Sequence, residues 1–145
     1  MVGKNNIKHW SKTQTTIALS SGEAELNGIG AGIAMGMGVQ SICRDLGYHY
    51  DLRVHTDATA AIGIARRRGM GKIRHLDTAD LWVQEKIRTG RVELLKVPGQ
   101  ENPADVFTKY VDKGLMSKML TKMGMVPLAG RAKCAPAIAG SSPVH

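Results

Sequence analysis

The sequence predicts a single α/β domain, because segments with helical spacing alternate along the chain with segments typical of strands. The chain has 145 residues, of which 43% are hydrophobic, and this is enough for one compact core. Residues 127–145 are rich in Ala, Gly, Ser and Pro and have no periodicity, so we expect a disordered tail. We therefore divide the chain into a domain over residues 1–126 and a tail over residues 127–145.

The first predicted elements are a strand and a long helix. The segment Ile7–Leu19 is rich in Thr and Ile, which favours a strand. Ser20 and Glu23 match a capping box, so a helix begins near Ser21 and ends at Gly47. Spacings of three and four predict its buried stripe: Leu26, Ile29, Ile33 and Met37. Its interior glycines either allow close packing or weaken the helix: Gly28, Gly30, Gly32, Gly36 and Gly38.

The middle of the chain predicts a strand between two further helices. Leu52–Thr56 has strand character and ends at Asp57, and a helix follows over Ala58–Ala65. Another helix is predicted over Leu76–Arg88, and Thr89-Gly90 ends it. The apolar residues of this helix lie on roughly one side: Leu81, Trp82, Val83 and Ile87.

The last part of the domain predicts a strand and two helices. Arg91–Val97 alternates apolar and polar residues, with Val92 and Leu94 inward. Asn102-Pro103 is a cap followed by proline at the first helical position, and the helix that starts there carries Asp105 in its first turn. A final helix over Asp112–Val126 has an apolar face that we interpret as core: Leu115, Met116, Met119, Leu120 and Met123.

The composition favours an intracellular protein with a polyanionic partner. The net charge of +8 attracts phosphates, although a basic globular protein without such a partner has the same composition. Aromatic residues make up only 4%, so base stacking is poorly supported. Cys43 and Cys134 suggest neither a metal site nor a disulfide framework, which fits a reducing compartment. Glycines and charges interrupt the apolar stretches, so we expect no membrane span.

Three carboxylates are the candidate functional groups. Glu25 shares the predicted stripe of Ile29 and Ile33, and a carboxylate on a buried face needs a cation, a metal or a strong donor; a salt bridge to Lys or Arg is the structural alternative. Asp57 could simply cap the following helix, and Asp105 could serve only the helix dipole. Functional groups in α/β proteins nevertheless gather at strand ends and helix starts, where both aspartates lie.

Four motifs in order resemble one known family. They are Ser20-Ser21-Gly22-Glu23-Ala24-Glu25-Leu26, Val54-His55-Thr56-Asp57, Lys72-Ile73-Arg74-His75-Leu76-Asp77, and Val97-Pro98 followed by Asn102-Pro103-Ala104-Asp105-Val106-Phe107-Thr108-Lys109. Together they resemble the ribonuclease H region that closes a copia-type retrotransposon polyprotein. The resemblance covers roughly Ile7 to Val126.

The resemblance implies a ribonuclease H-like, three-layer α/β fold and hydrolysis of the RNA strand of RNA/DNA hybrids. In that family four acids hold two magnesium ions, for which manganese can substitute. Glu25, Asp57 and Asp105 match three of these acids and are the predicted catalytic and metal-binding residues. The implied partners are the hybrid and, within a polyprotein, a reverse transcriptase region. The implied location is the cytoplasm or a retroelement particle.

The family's first aspartate has no match in this chain. It lies on a first strand that, with most of the second, is absent here, and we expect weak or no activity. The missing strands lie between those that end near Leu19 and Asp57, so we expect these edges to pair with each other, with another chain, or not at all. The alternative to a nuclease that is complete only inside a longer polyprotein is an inactive remnant that at most binds nucleic acid.

A basic segment is the candidate contact for the hybrid's backbone. It runs from Arg66 to Arg74, and His75 follows it. A solvated charged loop is the structural alternative, and His75 is either a substrate contact or a cap partner. The predicted nucleic-acid-binding residues are Arg66, Arg67, Arg68, Lys72, Arg74 and His75.

Overall fold

The computed structural model describes residues 1–3, 5–11, 13–14, 17–69 and 78–126. These residues form a mixed helix and strand structure with a small parallel sheet. The predicted tail and the segment 70–77 lie outside the described residues. The elements are α1 (Ser21–Asp45), β1 (Arg53–Thr56), α2 (Thr59–Arg66), α3 (Thr78–Arg88), β2 (Glu93–Lys96) and α4 (Lys113–Lys122).

Helix α1 begins and ends where the sequence predicts. The Ser20 hydroxyl accepts a hydrogen bond from the Glu23 backbone N–H at 3.2 Å, and the Glu23 carboxylate accepts one from the Leu19 N–H at 2.8 Å. The first bond confirms the predicted serine cap, while the Glu23 carboxylate binds the N–H of Leu19 rather than that of Ser20, which a standard capping box would use. At the other end Gly47 adopts a φ of 84°, a left-handed conformation that glycine takes without steric cost.

The core lies between α1 and the elements that follow it. Leu26, Ile29 and Ile33 are buried, as predicted, and Met37 is half-buried against the same cluster. Helix α1 contacts α2, α3 and β1, while α2 also contacts α3 and β2. The rest of the buried cluster comes from α2, α3, β2 and the residue before β2: Ala61, Ile62, Ile64, Ala65, Val83, Val92 and Leu94.

The interior glycines of α1 serve two different situations. A Cβ at Gly36 would lie 2.5 Å from Leu52 Cδ1, and one at Gly30 would lie 3.3 Å from Val83 Cγ2. These two positions allow close packing. A Cβ at Gly28, Gly32 or Gly38 would have nothing within 4 Å, so these glycines weaken the helix without a packing gain.

By length and composition alone, α1 could cross a membrane, and it is the one helix in the described residues that could. Its buried stripe packs on α2, α3 and β1. A core helix of a folded domain has the same apolar composition, so the composition of α1 does not distinguish the two situations.

Strands β1 and β2 pair in parallel, with Val54 opposite Leu94. The Glu93 N–H donates to the Leu52 carbonyl at 2.9 Å, and the Val97 N–H donates to the Thr56 carbonyl at 3.0 Å. In a parallel ladder of this register the backbone groups of alternate residues face away from the partner. The N–H and C=O of His55 therefore face the other edge of β1, with which no strand in the described ranges pairs.

The predicted strand over Ile7–Leu19 is wrong for the part of that segment that the structure describes. Residues 7–11, 13–14 and 17–19 form no strand. A strand needs a partner for its backbone groups, and composition alone does not supply one. Ile17 is 88% exposed and Leu19 68%. In the described residues this segment therefore does not pair with β1, and pairing of the β1 edge with another chain stays a prediction.

Three of the four apolar residues predicted to share one side of α3 pack on the core. Val83 is buried, and Trp82 and Ile87 are half-buried, but Leu81 is exposed. Asp80 and Gln84 are buried as well. The Gln84 side-chain NH₂ donates to the Ile64 and Gly69 carbonyls at 3.0 and 3.1 Å, and its oxygen accepts from the Gly69 N–H at 3.0 Å. These bonds let an amide occupy a core position.

Helix α4 lies beside a 3-10 helix over Pro103–Phe107. Met119 and Met123 are buried, as predicted, but Met116 is exposed. Leu115 and Leu120 are half-buried. The predicted apolar face is therefore broader than the surface that this part of the chain covers, because α4 contacts few other elements.

Candidate functional site

An open cleft of about 470 Å³ lies between α1, β1 and the Asn102–Phe107 segment. Its walls include Glu25 on α1 and Asp57 after β1. Residues that precede α1 in the chain also line the cleft, among them Lys8 and His9. Two of the three predicted acids therefore face the same cleft.

Asp57 owes its position to the end of β1. It is half-buried, and the residue that caps α2 is Ala58, with no side-chain capping bond. The Thr56 hydroxyl, not Asp57, accepts the hydrogen bond from the Ala58 N–H, at 3.2 Å. A Cβ at Gly99 would lie 3.2 Å from Asp57 Oδ2, so the glycine leaves room for the carboxylate. The alternative that Asp57 only caps α2 is not what the structure shows.

Glu25 is exposed, and its predicted place on the buried stripe is wrong. The buried glutamate is Glu23, which accepts from the Leu19 N–H at the start of α1. Glu25 instead lines the cleft with Gly28 and Gly32, which follow it at three and seven residues and so lie on the same helix face. Because neither glycine has a side chain, the Glu25 carboxylate is open to solvent and to an incoming cation.

Asp105 lies in the first turn of the 3-10 helix, where the sequence places it. The Asn102 side chain caps this turn by accepting from the Ala104 N–H at 3.2 Å. Asp105 Oδ2 lies 3.0 Å from Lys109 Nζ. The carboxylate is thus paired with an ammonium group four residues later, a spacing that brings side chains together on a helical turn.

Lys109 contacts Asp105 and also feels the charges of the other two predicted acids. Its hydrogen bond to Asp105 and the charge of Asp105 are the main causes that raise the pKa of Lys109, and the charges of Asp57 and Glu25 raise it further. Asp105 is the one of the three acids for which the described residues show a direct contact with this ammonium group. Lys109 had no predicted role, although its position four residues after Asp105 could have indicated an ion pair between them.

Carboxylate oxygens are the ligands that Mg²⁺ and Mn²⁺ prefer, so the donor chemistry of the three acids fits these ions. Their spacing is wider than direct ligation requires. Within the described residues, no group of three or more His, Cys, Asp or Glu side chains lies close enough together to hold a metal ion. The arrangement attracts a cation without forming a closed ligand set.

Two histidines that line the cleft, His9 and His55, also had no predicted role. The His9 ring stacks on Phe107, with centroids 4.8 Å apart and planes 8° apart. His55 lines the same cleft from β1. No motif marked His9, because its partner lies far along the chain. The described contacts give His9 a packing partner and assign no chemistry to it.

The predicted nucleic-acid-binding residues that the structure describes, Arg66, Arg67 and Arg68, do not line the cleft of Glu25 and Asp57. Arg66 ends α2, and its guanidinium donates to the Leu94 carbonyl at 2.8 Å. The Arg67 Nε donates to the Gly63 carbonyl at 3.3 Å, and Arg68 is exposed. Helix α2 begins just after Asp57, so its far end lies away from the cleft that holds the acids. Lys72, Arg74 and His75 lie outside the described residues.

Comparison with known proteins relates this chain to a retrotransposon polyprotein. The chain is 29% identical over 122 residues to the Retrovirus-related Pol polyprotein from transposon TNT 1-94 of Nicotiana tabacum. The match covers 82% of this chain and 9% of the tobacco protein. No family model matches, and no solved structure matches. The chain is therefore related to a retrotransposon Pol polyprotein, of whose length it spans less than a tenth.

Proposed function

We propose that this chain is a ribonuclease H-type domain that hydrolyses the RNA strand of RNA/DNA hybrids with Mg²⁺ or Mn²⁺ as cofactor. The four sequence motifs and the relationship to a retrotransposon Pol polyprotein support this function. The single observation that carries it is that Glu25 and Asp57 line one cleft, together with the segment around Asp105. Carboxylates that come from separate elements and face a common cleft are what a divalent-metal nuclease site requires.

In this function the three acids would hold the metal. A bound divalent ion supplies an activated water and stabilises the leaving oxygen. Asp57 lies at the end of β1, and the missing side chain at Gly99 leaves space for its carboxylate. Glu25 reaches the cleft from an exposed helix face, so its position there does not carry the desolvation cost of a buried carboxylate. Asp105 must exchange its contact with Lys109 for one with the ion.

We expect the activity to be low for two electrostatic reasons. The ammonium of Lys109 competes with a metal ion for Asp105. Three carboxylates also carry only three negative charges against the four positive charges of two divalent ions, so a second ion binds weakly. The basic residues Arg66, Arg67, Arg68, Lys72, Arg74 and His75 remain the proposed contacts to the hybrid's backbone.

The second candidate is an inactive remnant that at most binds nucleic acid. Two observations favour it. Asp105 already has a cationic partner, and the described residues contain no acid group at metal-ligand spacing. The net charge of +8 is sufficient for binding to phosphates without any catalysis.

Cleavage of a labelled RNA/DNA hybrid separates the two candidates. The purified chain is assayed in Mg²⁺ and in Mn²⁺ beside Asp57→Asn and the matched control Asp45→Asn, which changes an exposed aspartate at the end of α1. We expect weak cleavage by the wild type and by Asp45→Asn, and none by Asp57→Asn. Equal cleavage by Asp57→Asn would exclude the proposed site. No cleavage by folded wild-type protein would exclude nuclease activity of this chain on its own and would agree with the second candidate.

A further inference from the structure

A second and larger cleft lies at the end of the sheet opposite to Asp57. It has a volume of about 850 Å³, and residues around the amino ends of both strands line it, among them Leu52 and Val92. Because β1 and β2 are parallel, their amino-terminal ends lie at one end of the sheet, and Asp57 lies at the opposite end, after the carboxyl-terminal end of β1. This cleft is therefore separate from the one that holds the acids. Its charged and aromatic walls include Arg44, Arg66, Arg91, Tyr48 and Tyr50.

The end of α1 positions the two tyrosines. The left-handed Gly47 closes the helix, and the Tyr48 N–H donates to the Cys43 carbonyl at 2.8 Å. The Gln40 side chain donates to the Tyr50 carbonyl at 2.6 Å. The rings stack with centroids 6.3 Å apart and planes 14° apart. Both rings are exposed, so this fixed pair presents aromatic faces to solvent.

The charge around these rings is positive. Arg66 is held by its bond to the Leu94 carbonyl, and Arg44 and Arg91 are exposed on the rim. Asp51 and Glu93 also line the cleft. Glu93 is neutralised by Arg53, whose Nε lies 2.9 Å from its carboxylate. The three arginines therefore carry more positive charge than the negative charge of Asp51, the acid that remains.

We propose that this cleft binds a single-stranded segment of nucleic acid, with its phosphates at Arg44 and Arg91 and its bases on Tyr48 and Tyr50. Groove-lining cations and exposed aromatic platforms are the two parts from which single-strand sites are built. A duplex does not offer the free base faces that stacking requires. The low overall aromatic content does not oppose this, because two of the chain's three tyrosines lie together here. The site goes beyond the proposed function and does not depend on it.

The phosphate contacts are tested by the salt dependence of binding. A short fluorescein-labelled oligothymidylate is titrated with the full chain, and its anisotropy is followed over a range of salt concentrations. Arg44→Ala/Arg91→Ala is compared with Lys113→Ala/Lys118→Ala, which removes the same charge from exposed positions on α4. We expect the arginine pair to lower the log–log salt slope by about 1.4, which corresponds to two single-strand contacts. An equal decrease of the salt slope in both double variants would mean that only the net charge of the chain matters, and this would overturn the proposed site.

The stacking contacts are tested by the tyrosines. Tyr48→Leu/Tyr50→Leu should weaken oligothymidylate binding by about fivefold or more for each ring that stacks on a base. Tyr48→Phe/Tyr50→Phe keeps the aromatic faces and should retain the affinity. The leucine and phenylalanine variants should bind an abasic oligonucleotide of the same length with equal affinity, because it has no bases to stack on the rings. Unchanged affinity in the leucine variant, or a blunt duplex that competes as well as the single strand, would overturn the proposal.

Discussion

Lys109 Nζ lies 3.0 Å from Asp105 Oδ2 in an ion pair that the charges of the other two predicted acids also influence. The two side chains are four residues apart on one helical turn. Asp57 and Glu25 are farther away, but their charges act on the same ammonium. The candidate site therefore already attracts a cation, and that cation is one of the chain's own side chains.

Removing this ammonium should strengthen metal binding. Lys109→Met keeps the length of the side chain and deletes the charge that competes for Asp105. Because exposed ion pairs are weak, we expect Mn²⁺ affinity to rise by up to about fivefold. Calorimetric titration with Mn²⁺ measures this, and Lys118→Met on α4 is the matched control. Equal affinities in the wild type and Lys109→Met would mean that Lys109 does not occupy the metal's place.

The pKa of Lys109 makes the ion pair dependent on pH. The hydrogen bond and charge of Asp105 raise this pKa above its ordinary value of 10.5. A raised pKa contributes stability that is fully present below the unfolded value and is lost as pH rises through the folded one. The pair should therefore persist at neutral pH and break only in strong alkali. NMR titration of the Lys109 side chain should show a midpoint above 10.5 in the wild type and a lower one in Asp105→Asn; identical midpoints would contradict the contact.

The buried amide of Gln84 should be costly to remove. It bonds Ile64 and both backbone groups of Gly69. Gln84→Ala leaves these groups without their partner in the interior, and we expect a loss of about 2 kcal/mol in the free energy of unfolding. Urea denaturation measures the loss. The exposed neighbour Glu85→Ala is the control, and an equal effect of the two substitutions would contradict the buried position of Gln84.

The glycines of α1 should respond differently to alanine. Gly38→Ala meets open space and should stabilise the helix by up to about 1 kcal/mol. Gly36→Ala places a Cβ against the end of the Leu52 side chain, so displacement of that side chain should cancel part or all of the gain. Urea denaturation of the two variants compares them directly. A larger gain for Gly36→Ala would contradict the close approach of α1 to Leu52.

Several features predicted correctly from the sequence depend on local contacts. The serine cap at Ser20, the helix end at Gly47 and the Asn102 cap each involve residues within four positions of one another. The strand over Ile7–Leu19 depended on a distant partner, which composition does not reveal. The burial of Glu25 was wrong because two glutamates two residues apart lie on different faces of α1, and only packing decides which face is covered.

Paramagnetic broadening by Mn²⁺ tests the central claim most directly. Substoichiometric Mn²⁺ is added to isotope-labelled protein, and the amide signals of Glu25, Asp57 and Asp105 are compared with those of Asp45 and Asp112. The proposed site predicts that the first three broaden together and that Asp57→Asn reduces the broadening at all three. Broadening at one acid alone, or equal broadening at Asp45 and Asp112, would contradict a shared metal site.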